Sequence, residues 1–260
     1  MLLKNKVAVI YGGGGKIGGA VTRAFAAEGA RVFLAGRTLE KLQRVADDIK
    51  AAGGAAEIAQ VDAFDAVAIE EHHSDVIARA GHIDISFNAV WVRGDLQGRL
   101  LLEMPVEDFT APPLAAATTH FLTATAAARH MVKRRTGVIL TISASTSALS
   151  GRDRMYHRTG GFGVACAVVE EFTRSLAAEV GPSGVRVVCL RPDGISETWP
   201  AEQQSNAFPF KAYMDQGTVL GSLPTLQQVA DAAVFAASDR AAAITGAIVN
   251  LTRGSIMNSN

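Results

Sequence analysis

Apolar residues recur along the chain in two alternating ways: short unbroken runs, and longer stretches at helical spacing. Val7 to Tyr11 run without polar interruption, as in a strand buried on both faces. Four glycines follow, and Ile17, Ala20, Val21, Ala24 and Phe25 then mark one face of a helix. The alternation continues with a strand over residues 31–35, ending in Gly36-Arg37-Thr38. A helix follows through Leu39, Leu42, Val45, Ala46 and Ile49, stopped by Gly53-Gly54. A strand at 55–61 leads to Asp62, and a polar helix holds Val67, Ile69, Val76 and Ile77. The next strand, 83–88, precedes an Ala/Thr-rich helix predicted over 114–132, because Pro112-Pro113 favour a start just after them. Strand 137–142, helix 162–180, strand 185–190, helix 226–237 and strand 247–251 complete the pattern. Residues 193–223 carry few periodic signals and several Pro and Gly, so they read as a loop or lid.

Repeated strand and helix segments imply parallel strands joined by right-handed crossovers. The expected fold is α/β, a doubly wound parallel sheet with helices on both faces and its ligand along the carboxyl edge. At 260 residues, with no internal repeat, low-complexity tract or linker, the chain reads as one domain spanning 1–260.

Composition narrows the partners. Formal net charge is zero and the basic residues are scattered, so neither nucleic acid nor an anionic membrane surface is expected. Residues 1–6 lack the apolar stretch of a signal peptide, and no window approaches a membrane span. Cys166 and Cys189 sit inside apolar runs, as core residues do, which makes a reducing, cytoplasmic setting the default. His72-His73, His82, His120 and His130 lack ligand spacing and carboxylate or Cys partners, so no metal is expected.

The glycine turn carries the first candidate chemistry. Strand, glycine loop and helix together form the context in which a backbone approaches a pyrophosphate at the positive end of a helix. Gly12, Gly14, Gly15, Lys16 and Ile17 are the candidate contacts; a tight turn built from Gly for conformational reasons alone is the alternative. Proteins selecting NAD usually end the second strand in Asp or Glu, which binds the ribose hydroxyls. Here Gly36 and Arg37 stand there, and a guanidinium suits a 2′-phosphate, so NADP is favoured over NAD. Lys16 would add a second positive charge, since a cation at a helix N-terminus wants an anion nearby. On the alternative, Arg37 is merely solvated and Lys16 is an ordinary first-turn residue. Thr38 is expected to cap the next helix, to contact the phosphate, or both.

From Val7 to Gly254 the chain resembles the short-chain dehydrogenase/reductase family. The glycine turn resembles TGxxxGxG, with Tyr11 at the Thr position and Lys16 at the middle Gly. Val61-Asp62, with Ala63 after it, matches the acidic residue that contacts adenine in the family. Asn88-Ala89-Val90-Trp91 corresponds to NNAG with its first Asn kept. Residues 175–179 and 184–187 match the end of the long helix and the strand after it. Arg191-Pro192-Asp193-Gly194-Ile195 resembles the PG turn with one residue inserted, which brings Thr198 to the family's Thr position; Ile244-Thr245-Gly246 leads into the last strand. The resemblance implies a Rossmann-type fold, a nicotinamide cofactor held also by Asn88, Ala89 and Ile195, and hydride exchange with a carbonyl or alcohol. It also implies a homodimer or homotetramer formed through the long helices.

The same resemblance predicts that the usual catalytic residues are missing. Counted back from Glu179, the family Tyr falls on Phe162 and the Lys on Cys166; pinning the motif on Tyr156 puts Gly160 at the Lys. No Lys lies between Lys133 and Lys211, and no Asn between Asn88 and Asn206, whose family position falls on Ala116. The family Ser falls on Ala144, flanked by Ser143 and Ser145. Near the expected site stand Ser143, Ser145, Ser147, Tyr156 and His157, with Arg152, Arg154 and Arg158 close by. Ser143 and Tyr156 are the catalytic candidates, against a plain surface-loop role for Tyr156. Three readings follow: an NADP-dependent oxidoreductase with a non-standard proton donor, an inactive NADP-binding sensor or partner subunit, and non-redox chemistry in the same pocket.

Overall fold

A computed structural model describes residues 1–90, 92–145 and 158–257. Among these residues, seven strands form one parallel sheet in the order β3-β2-β1-β4-β5-β6-β7. They are β1 Val7–Tyr11, β2 Arg31–Gly36, β3 Ala55–Gln60, β4 Ile85–Asn88, β5 Gly137–Ile142, β6 Val185–Pro192 and β7 Ile248–Leu251. The helices are α1 Lys16–Ala27, α2 Leu39–Ala51, α3 Ala66–Ala80, α4 Val106–Arg134, α5 Gly161–Val180, α6 Pro209–Gln216 and α7 Leu226–Ala237.

Strand alternation divides the core between the two faces of the sheet. Ala8, Ile10, Leu34, Phe87 and Leu140 pack with Val21, Phe25, Leu42 and Val234 of α1, α2 and α7. Val7, Val9, Phe33 and Ile139 pack with Ile69, Ala127, Met131 and Leu176 of α3, α4 and α5. Both faces are covered, which is why the strands read as apolar runs rather than as alternating patterns. The doubly wound, Rossmann-like fold predicted from the sequence is the one found.

Two predicted elements are corrected. Helix α4 begins at Val106, eight residues before the predicted start, and carries Pro112 and Pro113 inside it. Each proline removes one amide donor, leaving the carbonyls of Asp108 and Phe109 without their helical partners. Helix α5 exploits this interruption: a Cβ on Gly161 would lie 2.0 Å from the Phe109 oxygen, so only glycine permits the approach. Tertiary packing therefore carries the helix through a sequence that would break it in isolation. Within residues 193–223, read as a loop, the structure has α6 and 3-10 turns at Ser196–Thr198 and Ala201–Gln203. Helix α6 is short, starts on a proline and buries Lys211 and Met214, too little for a legible period.

Candidate active site

Strand β1 pairs with β2 on one side and β4 on the other, so the chain order reverses between β1 and β4. A crevice opens at the carboxyl ends of strands at such a point. Gly12, just past β1, has φ +75, and a Cβ there would lie 2.6 Å from the Ala89 oxygen just past β4. A Cβ on Gly18 would lie 2.2 Å from the Gly12 oxygen, so α1 meets the turn backbone to backbone. Gly15 caps α1 without a side-chain hydrogen bond, and no acid occupies the first turn. The positive end of α1, with the amides of Lys16 and Ile17 in its first turn, therefore faces the crevice without a side-chain cap.

The other cofactor candidates surround this turn. Asn88 is buried; its Nδ2 donates to Thr123 Oγ1 at 3.1 Å and its Oδ1 accepts from the Val90 amide at 2.9 Å. It thereby fixes the turn after β4. Ala89 donates its amide to the Tyr11 carbonyl at 2.9 Å. Asp62 Oδ1 accepts from the Phe64 amide at 3.1 Å, beside the buried Ala63. At the end of β2, the Arg37 carbonyl accepts from Gln60 Nε2 at 3.0 Å. The Arg37 side chain is exposed, with no hydrogen bond or ion pair among the described residues. Thr38 occupies the N-cap of α2 and makes no side-chain cap bond, so its expected capping role is not seen. Ile195 is buried, and its carbonyl accepts the Thr198 amide and hydroxyl.

Lys16 reaches elsewhere than its sequence position suggests. Its Nζ lies 2.8 Å from the Glu197 carbonyl and 3.4 Å from that of Trp199, tying α1 to the segment after β6. Trp199 stacks near Phe210 of α6 at 5.5 Å between ring centroids. The 193–223 segment is thus fastened against the glycine turn.

Polar pairs tie β5 to α5. Thr141 Oγ1 and Thr173 Oγ1 are 2.7 Å apart, and one step up Ser143 Oγ donates to Glu170 Oε1 at 2.9 Å. Glu170 Oε2 is paired with Arg191 at 3.5 Å and more distantly with Arg174 at 3.9 Å. Cys189 Sγ lies 3.5 Å from Ser143 Oγ, and burial pushes the Cys189 thiol up. Cys166 is buried in α5, and Phe162 stands at the helix start. Tyr156, with Ser147, Arg152, Arg154 and His157, lies outside the described residues.

Between residues 15 and 255 the chain matches the family described as enoyl-(acyl carrier protein) reductase. An uncharacterized oxidoreductase of Mycobacterium tuberculosis is 31% identical over 97% of this chain and 92% of its own length. The crystal structure of a short-chain type dehydrogenase/reductase from Mycobacterium marinum superposes with a TM-score of 0.84 at 27% identity, covering 97% of this chain and 96% of that one. The chain belongs to the short-chain dehydrogenase/reductase family. A 3-oxoacyl-[acyl-carrier-protein] reductase of Chlamydia muridarum is a further relative, 28% identical over 97% of this chain and 98% of its own length.

Within this dehydrogenase/reductase, sequence reasoning missed Glu170, Arg191 and the anchoring of Lys16. Glu170 has a visible signal, since it interrupts the apolar run of α5 at the turn after Cys166. The Lys16 contact spans 181 residues and has no local signal. The histidines expected to lack ligand spacing do meet one another: His72 and His73 pack against Tyr11 behind β1, and His130 packs against His73. Among the described residues no group of three or more His, Cys, Asp or Glu is placed to hold a metal ion. Nor is any helix among them long and apolar enough to cross a membrane.

Proposed function

We propose that this chain is an NADP-dependent oxidoreductase acting on a carbonyl or alcohol substrate, with a proton donor other than a tyrosine on α5. The observation that carries the cofactor choice is Arg37, exposed and unpaired among the described residues beside the glycine turn, where an acid would favour NAD. The glycine turn, packed backbone to backbone against α1 and the end of β4, and the uncapped positive end of α1 fit a dinucleotide pyrophosphate. Gly12, Gly14, Gly15, Lys16 and Ile17 would hold it, Arg37 and Thr38 the 2′-phosphate, and Asp62 and Ala63 the adenine. Asn88, Ala89 and Ile195 would hold the nicotinamide half.

When bound, the nicotinamide exchanges a hydride with the substrate carbon. The chain must bind the substrate oxygen and move its proton. Phe162 has no exchangeable proton, and Cys166 is buried in a predominantly apolar helix. Tyr156 is the proposed donor, on sequence grounds. The 193–223 segment, anchored through Lys16, excludes water from the crevice and shapes the substrate pocket.

Self-association belongs to the same proposal. Phe121 and Leu114 of α4 are exposed, and Ala117, Phe121, Val168 and Phe172 line an apolar groove of about 390 Å³ between α4 and α5. A second copy of the chain is the proposed occupant.

The test is NADPH consumption with a short 3-oxoacyl thioester, the substrate class in the name of the Chlamydia relative. Turnover that Tyr156→Phe abolishes supports the reading. Tight NADPH binding without turnover on a broad carbonyl panel favours the inactive sensor. Absence of dinucleotide binding contradicts both.

A further inference from the structure

Two serines follow β5, and their surroundings give them different roles. The Ser143 amide donates to the Leu190 carbonyl at 3.0 Å and the Ser145 amide to that of Pro192 at 2.8 Å. Pairing with β6 therefore continues past the end of β5, and residues two apart project from the same face of such a strand. The Ser143 proton is already engaged on Glu170 at 2.9 Å. Ser145 is equally buried, at 4% exposure, yet its Oγ has no hydrogen-bond partner among the described residues. A buried hydroxyl without a partner is costly and calls for an explanation. It stands at the carboxyl edge of the sheet, where ligands of this architecture bind.

A hydroxyl has one proton to give. For Ser143 to serve a substrate, it would have to withdraw that proton from a carboxylate, a stronger acceptor than a carbonyl. Ser145 faces no such competition. We propose that Ser145, rather than Ser143, is the catalytic residue that donates a hydrogen bond to the reacting oxygen of the carbonyl or alcohol substrate, and that Glu170 is a positioning residue. Glu170 joins Ser143 of the β5 edge to Arg191 of the β6 edge, and so fixes the paired segment on which Ser145 sits. A donor held in place before the substrate arrives needs no reorganisation as charge develops on that oxygen. This assignment rests on the oxidoreductase reading above and replaces Ser143 as the serine that touches substrate.

The test compares wild type, Ser145→Ala, Ser145→Thr, Ser143→Ala and Glu170→Gln by three readouts. These are NADPH binding by calorimetry, turnover of a short 3-oxoacyl thioester, and the Tm of the ligand-free protein. Ser145→Ala is expected to keep the NADPH Kd within about twofold and to lower turnover about 100-fold, with Ser145→Thr restoring much of it. It is also expected to raise the Tm by about 2 °C, because an unpaired buried hydroxyl is removed, whereas Ser143→Ala lowers the Tm. Glu170→Gln is expected to lower kcat about tenfold with KM within about twofold. A larger turnover loss from Ser143→Ala than from Ser145→Ala overturns the assignment, as does a fall in Tm for Ser145→Ala. A Tm loss without a kcat loss in Glu170→Gln overturns the positioning role. Failure of wild type to bind NADPH or NADH defeats the oxidoreductase reading instead, while the paired Tm values still decide whether Ser145 is the unengaged serine.

Discussion

Lys16 Nζ donates to the carbonyl oxygen of Glu197 at 2.8 Å, joining the first helix to the segment that follows β6. The donor is charged and the acceptors are backbone oxygens, so the contact sets how the segment lies without depending on the side chains at 197 and 199. Lys16→Met is expected to speed amide exchange across residues 197–204 about fivefold, on the order of 1 kcal/mol of lost local stability. Hydrogen exchange read by mass spectrometry checks this. Unchanged exchange there would show that the contact does not hold the segment.

His72 and His73 give the protein a specific weakness to acid. Burial lowers His72 to about 4, and burial together with neighbouring His72 and His130 lowers His73 to about 3. Asp75 opposes the shift at His72, and Arg129 adds to that at His73. Between those values and the ordinary histidine range the unfolded chain binds more protons than the folded one, so stability rises with pH across that window. It is fully present above about pH 6.5 and is lost as the pH falls, on the order of 2 kcal/mol per histidine at pH 5. His73 is fully buried, so His73→Phe keeps an aromatic ring in the same packing and removes the group that titrates. Thermal unfolding between pH 5 and 8 should show a flatter profile for this variant. A slope equal to wild type would remove His73 as a source.

Phe121 tests self-association. Placing a charge in the apolar groove between α4 and α5 with Phe121→Glu should shift the protein toward monomer by about tenfold or more in dissociation constant, read by sedimentation velocity. A monomeric wild type would exclude this face as an interface between copies.

These elements also show what the sequence makes legible. Strand β1 and α7 are readable because five apolar residues in a row, or a clean helical period, have few other structural solutions. The early start of α4 was not, because the Phe109 carbonyl left by Pro113 is accommodated by Gly161, fifty-two residues away. At the site, the glycine turn and Arg37 announce themselves locally. Glu170 with Ser143 and Arg191, Lys16 with Glu197, and Tyr11 with His72 are pairings of distant positions, and a single chain of letters does not record which residues meet.

The central claim is that the crevice beside β1 takes NADP and that Arg37 selects it. Calorimetric titration of wild type and Arg37→Ala with NADPH and NADH tests this most directly. NADPH should bind wild type more tightly than NADH, and Arg37→Ala should weaken NADPH about 10- to 100-fold, about 1.5–3 kcal/mol for a lost charged hydrogen bond, leaving NADH within about twofold. Equal losses for both cofactors, or a wild-type preference for NADH, would contradict it.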